Sequence, residues 1–256
     1  MRFRVRVERG TGADVGQLRT RNFARENNAL PRVRDQPAMT PEECEQAIEI
    51  GHEQVRRALE QGVQLLGIGE MGIGNTTAAA CLLAALCGIS PDEVVGRGTG
   101  ANDSVLARKT EVVTEAIERY SAAASGQRGL YWLHVVGGFE IAAMTGTILA
   151  AAQANLPIVV DGFIATAAAA AAFQVEPRSR DVCFFSHRSD ERAHGKALRA
   201  LRVEPLLDLK MRLGEGTGAA LAMPILEASA KLLCEMATFD TANISGAIGE
   251  QERSNE

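Results

Sequence analysis

Aromatic side chains are scarce in this sequence. Its 256 residues hold two Tyr and one Trp, and Phe, Tyr and Trp together make up 4%. That suits close-packed helices on a sheet better than an aromatic-rich binding surface. Positive charge is not in excess either. The formal net charge is −5, so nothing global favours nucleic acid or a membrane as partner. The four histidines form no pair at helical spacing and no aspartate cluster accompanies them, so no metal site is expected. Five cysteines (44, 81, 87, 183, 234) are scattered and odd in number, with neither a ligand spacing nor a disulfide ladder. They are expected to be reduced thiols in a cytoplasmic protein. The start is Arg-rich without an apolar core, so it does not read as a signal peptide. The Ala-rich run over 165–173 is too short to span a bilayer.

What is present is a series of glycine loops at the ends of apolar runs. The chain is organised around Leu65-Leu-Gly-Ile-Gly-Glu-Met-Gly-Ile-Gly-Asn-Thr-Thr77, followed by an Ala/Leu run to Leu86. This predicts a strand, a tight loop and a helix, with backbone N–H groups at the helix start available to an anion. No Lys-Ser/Thr follows the last glycine, so the loop is not a Walker A motif. Asn75, Thr76 or Thr77 is placed to cap the helix.

Further units repeat along the chain. Residues 1–7 alternate Arg with apolar residues, as an edge strand does. Residues 8–38 are polar and irregular, and residues 1–34 carry nine Arg against three acids. Thr40, Pro41 and Glu43 form a capping box that opens a helix to about Gln61. Strands are predicted at 63–68, 130–136, 157–160 and 182–185. Helices are predicted at 77–87, 104–123, 141–154, behind 166, at 191–201 and at 219–238. Gly96–Gly100 forms a second glycine cluster. The class is α/β, with a mostly parallel, Rossmann-like sheet and helices on both faces. In such sheets ligands bind beyond the carboxyl ends of the strands. Loops 69–77, 137–140, 161–163, 186–188 and 214–218 therefore converge on one candidate site.

Glu70, Glu140 and Glu215 each stand among glycines just before a helix, and Asp161 follows a buried strand. An acid there is either a dipole-favoured cap or a general base tuned by burial. His134 is expected in the core. Ser186 beside His187 raises a serine hydrolase as a competing reading, but no Gly-x-Ser-x-Gly elbow accompanies it. Lys109 follows the second glycine cluster and is either solvated or an anion contact.

The stretch Gly69-Glu-Met-Gly-Ile-Gly-Asn-Thr-Thr77 resembles the signature of the nicotinate-nucleotide–dimethylbenzimidazole phosphoribosyltransferase family, which serves cobalamin lower-ligand synthesis. Val95–Gly100, Ala107–Lys109, Gly137–Met144, Val159–Phe163, Ser186–Ser189 and Leu207–Ala220 resemble the same family in the same order. The similarity covers about residues 36–240, after an Arg-rich strand and arm over 1–35 and before a polar tail over 241–256.

The resemblance implies transfer of a 5-phosphoribosyl group from nicotinate mononucleotide to 5,6-dimethylbenzimidazole, giving α-ribazole 5′-phosphate and nicotinate. It implies a homodimer and no cofactor. Glu215 corresponds to the catalytic base. Glu70 and Lys109 match two further charged positions of the site. Gly72, Gly74, Asn75 and Thr76 would hold the donor phosphate, with Glu140, Asp161 and Gly216 also binding substrate. Members of the family carry a further segment before the part matching Met1. An incomplete small helical subdomain is therefore expected, and a non-catalytic nucleotide-binding homologue is the alternative.

Overall fold

The computed structural model describes residues 36–96, 102–124, 128–238 and 242, and the backbone of 5–9. The Arg97–Gly100 part of the second glycine cluster and the Arg-rich arm over 10–35 lie outside the described residues. Four parallel strands pair in sequence order: β1 (Val5–Arg9), β2 (Leu65–Gly69), β3 (Ile158–Val160) and β4 (Cys183–Phe185). Val5 pairs with Leu65, Leu66 with Ile158, and Val160 with Phe185. Every residue of β2 and β3 is buried, which is why both read as unbroken apolar runs. The parallel α/β class expected from the sequence is the one observed.

The helices are α1 (Pro41–Glu60), α2 (Thr76–Cys87), α3 (Pro91–Val94), α4 (Asp103–Ser121) and α5 (Arg128–Val136). They continue with α6 (Phe139–Gln153), α7 (Phe163–Val175), α8 (His194–Leu201) and α9 (Thr217–Glu235). The capping box of α1 forms as the sequence predicts: Glu43 N–H donates to Thr40 Oγ1 at 3.1 Å and Thr40 N–H to Glu43 Oε2 at 2.9 Å. Helix α7 is the hub. Ala165 and Ala167–Ala172 are buried, and their small side chains let α2, α5 and α6 pack against it together.

One element differs from the sequence expectation. Residues 130–136 form helix α5 rather than a strand. The buried positions Gly129, Trp132, Leu133 and Val136 follow helical spacing, and β2 pairs directly with β3. His134 accordingly sits on a helix, half-buried, with Nδ1 2.9 Å from Met39 O.

The chain divides into two compact units, Met1–Met223 and Pro224–Glu256, the boundary falling at Pro224 inside α9. By length and composition α9 is apolar enough to cross a bilayer. In the second unit Lys231 pairs with Glu227 at 2.7 Å. All five cysteines are free thiols.

Candidate active site

Three strand ends and one helix start meet at a single junction. Asp161, directly after β3, is 1% exposed. Its Oδ2 accepts the N–H of Gly216 at 2.9 Å and its Oδ1 that of Ala219 at 3.1 Å. The carboxylate thus caps α9 from another strand and holds the loop that carries Glu215. Glu215 N–H in turn donates to Glu70 O at 2.9 Å. Glu215 adopts φ +60°, between Gly214 at +75° and Gly216 at +77°. Three successive left-handed residues account for the glycines on either side of Glu215, because residues with a Cβ pay a steric penalty there, as Glu215 itself does. The approach is also close. A Cβ on Gly69 would meet Gly216 N at 2.2 Å, and one on Gly218 would meet His187 Nδ1 at 2.1 Å.

Burial pushes the Asp161 carboxyl up from its ordinary value. His187 and the N–H groups of Gly216, Ala219 and Gly218 pull it back.

The loop after β2 closes on itself. Gly72 N–H donates to Glu70 Oε2 at 2.5 Å, and Gly72 and Gly74 have φ of +73° and +78°. Asn75 precedes α2 but its side chain makes no capping bond to that helix. Its amide instead donates to Glu140 Oε1 at 3.1 Å, and its Oδ1 is buried without a partner. The first-turn N–H groups of α2 thus have no side-chain cap, which is the condition for anion binding there. Helix α7 likewise starts at Gly162 with no side-chain cap. Burial pushes Glu140 up, and the Glu70 charge adds to that shift. Lys109 Nζ donates to Thr76 Oγ1 at 3.3 Å. Burial lowers the Lys109 ammonium, and the Glu191 charge opposes the shift.

A cavity of about 470 Å³ opens over this junction, lined by Glu70, Gly72, Thr76, Asp161, His187 and Arg212 among others. Of the residues expected from sequence, Glu70, Gly72, Thr76 and Asp161 line it. Asn75 and Glu140 form a buried pair beside it, and Lys109 reaches it through Thr76. Glu215 and Gly216 follow the lining residue Gly214, while Gly74 stays outside the lining.

Sequence reading did not single out Ser189, Glu191 or Arg212. Ser189 and Arg212 stand in motif stretches, whereas Glu191 carries no local signal. Its carboxylate lies against Gly96, where a Cβ would come within 2.1 Å of Oε1. Ser186 is fully buried and donates to Asp161 O at 2.9 Å. Its hydroxyl is committed to the backbone, which removes the support for a hydrolase nucleophile.

Uncapped helix starts and a carboxylate-pinned loop around one cavity suit a protein that binds a phosphorylated ligand. A family model described as DBI_PRT, phosphoribosyltransferase, matches residues 8–244, and the chain belongs to that family. Among relatives, the nicotinate-nucleotide–dimethylbenzimidazole phosphoribosyltransferase of Shewanella amazonensis is 47% identical, over 83% of this chain and 61% of its own length. The enzyme of that name from Thermus thermophilus is 50% identical over 82% and 61%. The crystal structure of CobT from Thermus thermophilus superposes with a TM-score of 0.78 at 49% identity, covering 83% of this chain and 63% of that one. The chain thus spans about three-fifths of the length of these relatives.

Proposed function

We propose that the chain carries the phosphoribosyl-transfer chemistry named for its relatives. Nicotinate mononucleotide donates its 5-phosphoribosyl group to a ring nitrogen of 5,6-dimethylbenzimidazole, giving α-ribazole 5′-phosphate and nicotinate. The acceptor nitrogen forms a bond to the anomeric carbon as the bond to the pyridinium nitrogen breaks. That bond's electron pair neutralises the leaving ring, so departure needs no acid. The acceptor must lose its N–H proton, and Glu215 takes it.

The observation that carries this reading is the pinned Glu215 loop. Asp161 and Glu70 fix its backbone at the rim of a cavity that also holds the uncapped start of α2. Gly72, Gly74, Asn75 and Thr76 hold the phosphate in this scheme, and Lys109 adds a positive charge through Thr76. Glu70, Glu140, Asp161 and Gly216 complete the donor side. The homodimer, a cytoplasmic location and a phosphoribosyltransferase domain over 36–240 belong to the same proposal. Sedimentation equilibrium tests the dimer.

The test is formation of α-ribazole 5′-phosphate. Glu215→Gln is expected to lower turnover about 100-fold or more, the ordinary worth of a general base, with nucleotide affinity kept. Unchanged turnover in that variant removes Glu215 as the base. Nucleotide binding by the unaltered chain without any product supports the alternative, a binding homologue. Its uncapped α2 start would then serve phosphate alone.

A further inference from the structure

His187 is a buried imidazole with one nitrogen committed and the other free. Its side chain is 1% exposed. Ser186 uses its hydroxyl proton on Asp161 O at 2.9 Å. The 2.9 Å contact between Ser186 Oγ and His187 Nδ1 therefore requires the proton to sit on Nδ1. Asp161 Oδ1, 3.7 Å from Nδ1, favours the same tautomer. Burial lowers the His187 pKa, against the pull of the Asp161 charge, and so favours the neutral ring. Nε2 then presents a bare lone pair.

Among the described residues Nε2 has no hydrogen-bond partner. His187 lines the cavity, and a Cβ on Gly162 would come 4.0 Å from Nε2, which places it beside the start of α7. An acceptor facing a cavity is open to a donor from whatever fills it.

The chemistry of the nucleotide narrows the choice of donor. Nicotinate mononucleotide has an ionised carboxylate, a quaternary ring nitrogen and, about two units above its second pKa of ~6, an almost wholly dianionic phosphate. None of these donates a hydrogen bond. The 2′- and 3′-hydroxyls of the ribose are the donors that remain. The other donor in the reaction is the ring N–H of the acceptor base, and that proton falls to Glu215 on the half-exposed loop, not to the buried floor.

We propose that His187 Nε2 accepts a hydrogen bond from a ribosyl hydroxyl of the donor nucleotide and thereby selects ribosyl over deoxyribosyl donors. This rests on the phosphoribosyl-transfer reading above. Ser186 and Asp161 act as positioning residues that hold the tautomer.

A cycle pairing donor and protein changes tests it. Nicotinate mononucleotide and its 2′-deoxy and 3′-deoxy forms are compared on the unaltered chain and on His187→Asn, reading Kd by calorimetry and kcat/KM by product formation. The Asn amide still reaches Ser186 but stops short of the Nε2 position. One deoxy donor is expected to bind the unaltered chain about 5–100-fold more weakly, the worth of a buried hydrogen bond. His187→Asn should lose a similar factor with the normal donor and show no further loss with that deoxy donor. His187→Gln, which returns an acceptor near Nε2, should recover part of the discrimination.

A deoxy penalty in His187→Asn equal to that of the unaltered chain overturns the proposal. So does the absence of any penalty on the unaltered chain, which needs no variant to fold. A His187→Asn protein that binds all three donors normally and loses only transfer to the base also overturns it, and would place Nε2 on the acceptor N–H. Failure of the unaltered chain to bind any nucleotide rejects the phosphoribosyl reading itself, a result distinct from the others.

Discussion

At the residue scale the site rests on buried polar side chains whose hydrogen bonds are spent on backbone. Asp161 holds Gly216 and Ala219, Ser186 holds the Asp161 carbonyl, and His194 ties two segments together. His194 Nδ1 accepts the N–H of Ser189 at 2.8 Å, and its Nε2–H faces Thr166 Oγ1 at 2.9 Å. Both nitrogens are used by the neutral ring, and burial first, then His187, pushes its pKa down from 6.5 to about 3. The depressed value makes this stability complete above pH 6.5 and lost as pH falls toward 3. Over that window the unfolded chain binds a proton that the folded chain cannot, at about 1.4 kcal/mol per pH unit.

Asp161 and Glu140, with raised values, run in the opposite sense, so the total slope does not isolate His194. The difference from a variant does. His194→Asn keeps an acceptor for Ser189 and is expected to be about 1–3 kcal/mol less stable than the unaltered protein at pH 7.5. Urea unfolding should show that gap narrowing steadily from pH 6.5 to 5. A gap independent of pH would reject the assignment. Of the polar residues at this junction, Asp161 and Glu70 were legible, because each follows a buried apolar run and precedes a helix. The loop-holding role of Asp161 was not, since its partners lie 55 and 58 residues away.

At the element scale, legibility followed whether the signal was local. The capping box at Thr40–Glu43 is a four-residue pattern with one physical meaning, and it formed. Residues 130–136 carry two patterns at once, a short apolar run and the spacing Gly129, Trp132, Leu133, Val136. Run length alone does not separate a buried strand from a buried helix, and packing against α7 decided for the helix. Asn75 misled differently. Its residue type suits a cap, but its Nδ2–H donates to Glu140 and its Oδ1 accepts no N–H of α2, which leaves that helix start open.

The packing of α1 on α6 gives an element-scale prediction. A Cβ on Gly51 would stand 2.0 Å from Ala143 O, and one on Gly146 would stand 2.0 Å from Ile48 O, so the two helices touch backbone to backbone. Alanine at either position gains at most ~1 kcal/mol of helix propensity. Pushing the helices apart costs about 1–3 kcal/mol or more, and the contact is with backbone that cannot rotate away. Gly51→Ala and Gly146→Ala should both lower the melting temperature, by about 2–4 °C for each kcal/mol lost. A rise in either would show that the pair separates freely.

At the scale of the whole molecule, family membership and catalytic competence are separate questions. The ordered motifs and the match over residues 8–244 establish the first. The second is decided by product formation, and nucleotide binding by the folded site is its precondition. A ligand that binds only the folded state stabilises it by about 2.7 kcal/mol at a concentration 100 times Kd. For a chain of this size that corresponds to a rise in melting temperature of about 5–10 °C. Nicotinate mononucleotide at that excess should produce such a rise, while nicotinate alone, lacking the phosphate that α2 is open to receive, should produce little. Lys109→Ala should shrink the nucleotide effect, because it removes the ammonium that donates to Thr76 at the start of α2. Glu215→Gln should leave the effect intact, because the proposed role of Glu215 is toward the other substrate. Equal shifts from nicotinate and its mononucleotide would mean that the phosphate contributes nothing, and the assignment of the α2 start would fail even if turnover were observed.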